Sequence, residues 1–329
     1  MSKLRLGLIG AGGMGMSLAR AAKAREDTCF VGVADPMAEA AQKAVDELGG
    51  TAFTNYQDLL ACADLDAVIV APPNTAHREV AIAAVEAGKQ VFCEKPMAMN
   101  VAECDAMIAA AQRAGVKLMV GQVLRLIPGF AKARELALSG ELGRPVAVAI
   151  ERSGLWGFHG NGWRSSYALT GGFLFEVNVH EIDYMRAILG EAKSVFAAIP
   201  AVPVPGTDIP AINYVTVQFQ EGGAGLLNSN MVLPQGQYQV CITCEKGSIR
   251  CDWGSVSYQL QGGELQNVPA EEIQQMTDGV AREINSFVEW VRNGTPPVVT
   301  AADGRAAVEI AEAAIRSGTT GQVVTLPLQ

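Results

Sequence analysis

The stretch that decides the fold begins Leu4-Arg5-Leu6-Gly7-Leu8-Ile9-Gly10-Ala11-Gly12-Gly13-Met14-Gly15 and continues through Cys29-Phe30-Val31-Gly32-Val33-Ala34-Asp35. Leu4 to Ile9 is an apolar run that predicts a buried strand. Gly10 to Gly15 has the form G-x-G-x-x-G, and Met14 to Arg25 predicts an Ala-rich helix. Cys29 to Ala34 predicts a second strand ending in Asp35, twenty positions after Gly15. Each part has a physical task in binding a dinucleotide. Gly10 permits the tight turn, Gly12 removes a side chain where backbone approaches a pyrophosphate, and Gly15 lets the helix pack on the strand. The helix N-terminus offers N–H groups and a positive dipole to phosphates. Asp35 can accept both hydroxyls of an adenosine ribose, and its charge repels a 2′-phosphate, so NAD is expected over NADP. Pro36 and Met37 offer no phosphate clamp; Arg25 and Lys43 are the cations that would oppose this preference.

Composition narrows the rest. The chain has 329 residues, 49% of them hydrophobic, enough for two domains with a large core. A net charge of −9 without basic clusters argues against nucleic acid and anionic membranes. Leu4 already enters a strand, so no signal peptide is expected, and no apolar stretch is long enough to span a bilayer. A soluble, cytoplasmic chain is the expectation. The seven cysteines show no framework spacing. Cys241-Ile242-Thr243-Cys244 is a C-x-x-C, but strand alternation sends the two thiols to opposite faces and no fourth ligand is near, so no metal is expected.

Strands and helices alternate after Asp35. Helices are expected at 38–48, 75–87 and 101–114, and strands at 66–71, 91–93 and 116–120, which implies right-handed crossovers and a parallel sheet. This places a dinucleotide-binding domain at 1–122. From 123 to 329 the pattern changes. Helices at 128–138 and 179–189 flank a strand at 146–151. Strands at 194–199, 213–219, 225–232, 238–245 and 256–260 then suggest an antiparallel meander. Helices at 280–292 and 301–317 and a strand at 322–326 close the chain. The fold class is an α/β Rossmann domain followed by an α+β domain with an open, mostly antiparallel sheet. One sheet face is expected to pack and the other to stay wet or meet another subunit, giving a homodimer or homotetramer.

Ligands of a doubly wound sheet meet its strand ends. Two strand ends carry polar clusters, Pro72-Pro73-Asn74-Thr75-Ala76-His77 and Cys93-Glu94-Lys95-Pro96. Pro96 restrains Lys95, which is either an amine beside a nicotinamide or a surface lysine paired with Glu94. In the second domain, Glu176-Val177-Asn178-Val179-His180-Glu181-Ile182-Asp183 places Glu176 and His180 four apart, on one face of a helix or its first turn. His180 has the pKa range for proton transfer, although the segment taken alone fits a helix start with a packed histidine better. The loop Trp156-Gly157-Phe158-His159-Gly160-Asn161-Gly162-Trp163-Arg164 can wall a sugar, with Trp163 otherwise a packing residue and Arg164 otherwise a brace for the cofactor. His159 reads as solvated, and Gln122 as a pocket residue.

Taken in order, G-x-G-x-x-G, Asp35, Pro-Asn-xx-His, Glu-Lys-Pro and Gly-Gly-xxx-Glu-x-Asn-x-His-xx-Asp resemble the Gfo/Idh/MocA family, the glucose–fructose oxidoreductase and inositol dehydrogenase group. Further matches are Ala87-Gly88-Lys89-Gln90-Val91, Arg125 with Pro128, Gly140-Glu141-Leu142-Gly143, Trp163-Arg164 and Asp303-Gly304. The resemblance implies an NAD-dependent oxidoreductase that moves a hydride between nicotinamide and a secondary hydroxyl of a sugar or cyclitol. It implies that Lys95 contacts the reacting hydroxyl and the nicotinamide ribose, and that His180 is the general acid/base. Glu176 stands where most members have aspartate, and Asn178 where most have glycine; these departures hint at another sugar pose or altered chemistry. The expected catalytic set is Lys95, His180 and Glu176. The expected cofactor set is Gly10, Gly12, Gly13, Met14, Gly15, Asp35, Pro72, Asn74, His77, Glu94, Lys95, Gln122 and Arg164. Lys95, Gln122, Trp163, Asn178 and His180 are expected to contact substrate. Two alternatives stand beside this reading: a glycosidase-like enzyme that oxidises its sugar transiently with bound NAD, and a non-enzymatic nucleotide-sensing regulator.

Overall fold

The structure is a computed structural model and describes residues 2–155 and 162–328. Trp156 to Asn161, most of the expected sugar wall, lie outside the described residues. The chain divides into two compact units, 1–122 with 280–305, and 123–279 with 306–329.

The first unit runs β1 (Leu4–Ile9), α1 (Gly13–Lys23), β2 (Thr28–Ala34), α2 (Ala38–Leu48), β3 (Thr51–Phe53), α3 (Tyr56–Leu60), β4 (Ala67–Val70), α4 (His77–Glu86), β5 (Gln90–Cys93), α5 (Val101–Ala114) and β6 (Leu118–Val120). Its strands form one parallel sheet in the order β3-β2-β1-β4-β5-β6. Both faces of β4 are buried, as the continuous apolar run Ala67-Val68-Ile69-Val70 requires of a central parallel strand. Strand order reverses between β1 and β4, so the crevice of this sheet opens at Gly10 and Ala71. The sequence pattern did not announce β3 or α3. Three residues are too few to show a period, and α3 is a single short turn whose start is capped by Asn55, which accepts from the Gln57 N–H at 2.9 Å.

The sequence pattern places 280–305 in the second domain, but this segment clusters with the first unit. Ile284, Phe287 and Val288 of the helix Gly279–Asn293 enter the same core as Leu4, Leu6, Leu8 and Phe92. Phe287 meets Phe92 edge-on, with centroids 5.8 Å apart. Arg25 ties the helix down, donating to Asn285 Oδ1 at 2.7 Å and to Glu289 Oε1 at 2.8 Å.

The second unit opens with α6 (Pro128–Leu138) and β7 (Pro145–Leu155), then passes through three helices, α7 (Tyr167–Thr170), α8 (Phe173–Glu176) and α9 (Val179–Leu189). β8 (Ala192–Ala198), β9 (Ile212–Phe219), β10 (Ala224–Asn230), β11 (Val232–Cys244), β12 (Gly247–Cys251), β13 (Val256–Leu260), β14 (Gln266–Asn267) and β15 (Val324–Thr325) follow. The sheet order is β14-β13-β12-β11-β7-β10-β9-β8-β15, and among the described residues β7 with β10 is its one parallel pair. β12 and β14 are additions to the expected meander. Alternation is strict on β9, where Val215, Val217 and Phe219 are buried and Tyr214, Thr216 and Gln218 exposed. The inner face packs under α9. The outer face carries a cross-strand row, Phe196, Thr216, Leu226 and Ala149. Cys241 is half-buried and Cys244 fully buried, on opposite faces of β11; among the described residues no group of side chains could hold a metal ion.

Candidate active site

The glycine turn separates into two kinds of glycine. Gly10 has φ +95°, and a Cβ there would lie 2.5 Å from the Ala71 carbonyl oxygen. A Cβ on Gly15 would lie 2.1 Å from the Gly10 carbonyl oxygen. These two serve the fold itself. A Cβ on Gly12 or Gly13 would meet nothing within 4 Å, so packing does not explain them. What they keep clear is the approach to the start of α1, which no side chain caps, with Met14 exposed beside it. An uncapped helix start behind an open glycine cradle fits the pyrophosphate of NAD.

Asp35 lies at the end of β2, where Oδ2 accepts the Ala11 N–H at 2.8 Å and Oδ1 accepts the Met37 N–H at 2.9 Å. Each oxygen of an ionised carboxylate keeps a further lone pair, so the group still fits a ribose diol. Arg25 does not oppose it, because its guanidinium is committed to Asp27, Asn285 and Glu289.

The loops after β4 and β5 are joined by His77, which is almost fully buried. Its Nδ1 lies 2.7 Å from the Pro96 carbonyl oxygen and its Nε2 lies 3.0 Å from that of Pro72. A neutral ring donates from only one nitrogen, so one of these contacts is a true hydrogen bond unless the ring carries both protons. Glu94 is buried and accepts the Lys95 backbone N–H at 2.6 Å through Oε2. Lys95 is half-buried, while Asn74 and Gln122 are buried. The first unit therefore gathers the glycine turn, Asp35, Pro72 to His77, Glu94 to Pro96, and Gln122 at the C-terminal ends of its parallel strands.

In the second unit the shared helical face expected for Glu176 and His180 is not present. Gly171 and Gly172, with φ +74° and +73°, start the short α8, and Glu176 is its last residue. Val177, at φ −125° and ψ −57°, breaks the helix before Asn178 opens α9. The two residues belong to successive helices, so four-residue spacing does not align them. Arg164 donates from Nε to Glu176 Oε1 at 2.8 Å, and its guanidinium lies 4.6 Å from the centre of the Trp163 ring. Glu176 is mostly buried, while Arg164 is half-exposed. His180 is half-buried in the first turn of α9.

Asn178, expected to face substrate, is fully enclosed, and its Nδ2 donates to Glu181 Oε2 at 3.1 Å. Sequence reasoning missed Glu181. It is fully buried, and its Oε1 accepts from Arg152 Nη1 at 2.6 Å and from the Tyr238 hydroxyl at 2.7 Å. Burial, reinforced by the Glu181 charge, pushes the Tyr238 hydroxyl well above the usual tyrosine range. Burial alone would lower Arg152, but Glu181 and Tyr238 together outweigh it and the net shift is upward. A second buried pair lies nearby in sequence, with Arg125 donating to both oxygens of Asp183 at 2.6 Å.

Comparison with known proteins identifies the family. The family model for the NAD-binding Rossmann fold of the GFO_IDH_MocA oxidoreductases matches residues 4–122, and the model for the family's C-terminal alpha/beta domain matches residues 134–326. The inositol 2-dehydrogenase of Streptomyces avermitilis is 31% identical over 99% of this chain and 95% of its own length. The 2,7-anhydro-N-acetylneuraminate hydratase of Escherichia coli is 28% identical over 84% of this chain and 75% of its own length. Levoglucosan dehydrogenase, solved in complex with NADH, shares the fold at a TM-score of 0.89 and 24% identity, covering 99% of this chain and 100% of that one. No helix among the described residues is long and apolar enough to cross a membrane. The chain belongs to the Gfo/Idh/MocA family of NAD-binding oxidoreductases.

Proposed function

We propose that this enzyme oxidises a secondary hydroxyl of a sugar or cyclitol, reversibly, with NAD as partner. The observation that carries the reading is the likeness to inositol 2-dehydrogenase across almost the whole of both chains. When bound, NAD supplies the hydride acceptor for the carbinol C–H. His180 takes the hydroxyl proton. The Lys95 ammonium stabilises the negative charge that grows on the oxygen, a charge that appears only in the transition state. Glu176 holds Arg164 and, through it, the Trp163 ring, and so shapes the segment leading to α9. Gln122 completes the substrate contacts. The domain carrying the dinucleotide is 1–122, and 123–329 supplies the substrate residues, with 280–305 serving the first core. The test is the absorbance of NADH on adding NAD with inositol, levoglucosan and a panel of hexoses. Growth of that band with at least one polyol supports the reading, and a flat response to all of them argues against it.

The likeness to the anhydro-neuraminate hydratase favours a second reading, a sugar oxidised only transiently. A hydratase makes no net redox change, so this reading expects product without NADH growth.

The outer face of the nine-stranded sheet carries Phe196, Tyr214 and Leu226, each more than two-fifths exposed. Such a patch suits a second copy of the chain, and we assign it to a homodimer or homotetramer, read by light scattering after size exclusion. The proposal places the enzyme in the cytoplasm with its dinucleotide.

A further inference from the structure

The stretch between β8 and β9 is folded back on itself and pinned. Val204 donates its backbone N–H to the Ile209 carbonyl oxygen at 2.9 Å, Ala211 donates to that of Val202 at 2.8 Å, and Pro203 pairs with Pro210 as an isolated bridge. Val204 and Ile209 are buried in a small core with Phe173 and Met231. Asp208 Oδ1 accepts the Tyr167 N–H at 2.6 Å, which ties the stretch to α7. Between it, α7, α8, the start of β9 and the end of the helix Ala301–Thr320 lies a cavity of about 310 Å3. All its lining residues belong to the second unit, and none is a residue assigned above to cofactor or substrate.

Most of the wall is apolar, from Tyr167, Phe173, Leu174, Ile199, Pro210 and Ile315. Three polar side chains interrupt it. Asp208 is exposed, and its second carboxylate oxygen has no partner among the described residues. Asn213 is only 3% exposed, its Nδ2 is buried without a hydrogen-bond partner, and among the described residues no donor reaches its Oδ1. With neither end held, that amide is free to turn its oxygen to a donor that a ligand brings. Thr319 is exposed, and its hydroxyl donates to the Ile315 carbonyl oxygen at 2.9 Å, which leaves its own lone pairs available. No lysine, arginine or histidine among the described residues lines the cavity. Acceptors and one carboxylate set in an apolar wall with two aromatic rings suit an organic cation. An anion would meet Asp208 with no counter-charge beside it, and the net charge of −9 favours the cation as well.

We propose that this cavity is a second ligand site, for a small ammonium carried on an apolar ring or short chain. The ammonium donates to Asn213 Oδ1 and lies beside Asp208, while the apolar body sits against Tyr167 and Phe173. The wall from Gly171 to Leu174 runs directly into Glu176 at the end of α8, so the occupant bears on the segment that carries that carboxylate.

Calorimetric titration of the full chain with benzylamine, benzyl alcohol and benzoate tests the assignment, since the three match in size and differ in charge. Benzylamine should bind about three- to fivefold more tightly than benzyl alcohol, a modest margin because Asp208 is exposed, and benzoate should bind more weakly than both. The margin should shrink as salt rises. Asp208→Asn keeps an oxygen for the Tyr167 N–H and removes the charge, so benzylamine should fall to the affinity of the alcohol. Asn213→Leu removes a hydrogen bond to a charged donor and should weaken benzylamine about tenfold. Thr319→Trp fills the cavity from an exposed position and should abolish binding of all three. Asp208→Asn and Thr319→Trp both change exposed residues, so they decide the matter even if Asn213→Leu does not fold. Benzylamine that binds no more tightly than benzyl alcohol, or that keeps its affinity in both Asp208→Asn and Thr319→Trp, would overturn the proposal.

Discussion

Asp35 accepts the backbone N–H of Ala11 at 2.8 Å, which ties the end of β2 to the middle of the glycine turn that follows β1. One carboxylate therefore does two jobs. It shapes the glycine turn, and in the proposed reading it offers its remaining lone pairs to a ribose. Asp35→Asn keeps the size but removes the charge and one acceptor. NAD affinity, measured by calorimetry, should fall about tenfold or more. Discrimination against NADP should narrow, because the charge that repels the 2′-phosphate is gone. An unchanged NAD affinity would place the ribose elsewhere.

Lys95→Met keeps a long side chain and deletes the ammonium. Turnover should fall about a hundredfold or more, while NAD affinity stays within a few fold. His180→Ala should cost a similar factor or more, because it removes the proposed base. Pre-steady-state measurement of NADH formation separates these losses from slow product release.

Arg164 and Glu176 form an ion pair in which the carboxylate is the buried partner. Removing the arginine takes a charged donor from a mostly buried carboxylate, which is the costlier side to break. Arg164→Ala should therefore lower the melting temperature more than Glu176→Gln, which leaves an exposed guanidinium to water. Differential scanning fluorimetry of the two variants checks the order.

Arg25 hydrogen-bonds Asp27 and Glu289, and both carboxylates are held below their ordinary values chiefly by that bond. A depressed native pKa means stability that is present above the unfolded values of 3.8 and 4.5 and is lost as pH falls through the lower native values. Acid should thus loosen the helix Gly279–Asn293 from the first core. In Arg25→Gln the melting temperature should depend less steeply on pH in the acid range, because the bond that separates native from unfolded values is gone. Both carboxylates are half-buried at the surface, so the effect is modest and shrinks with salt.

Local features were legible and distant ones were not. Gly10, Gly15 and Asp35 could be read because their tasks are set by neighbours within one βαβ unit. The helix Gly279–Asn293 could be read as a helix, but an amphipathic stripe does not say which core it joins; the Phe92–Phe287 contact settles that. Glu176 and His180 misled, because residues four apart share a face only on an unbroken helix, and Val177 breaks this one. Glu181 was passed over since its partners, Arg152 and Tyr238, come from strands far away in sequence. His77 was expected at the cofactor, and its two backbone contacts reveal a brace between the Pro72 and Pro96 loops.

The most direct test follows the hydride itself. The enzyme is given NAD and a polyol from the panel carrying deuterium at its carbinol carbons, and the reduced cofactor is weighed by mass spectrometry. Deuterium in the nicotinamide is the expected result. Product formed with no deuterium in any cofactor, bound or free, would contradict hydride transfer between polyol and NAD.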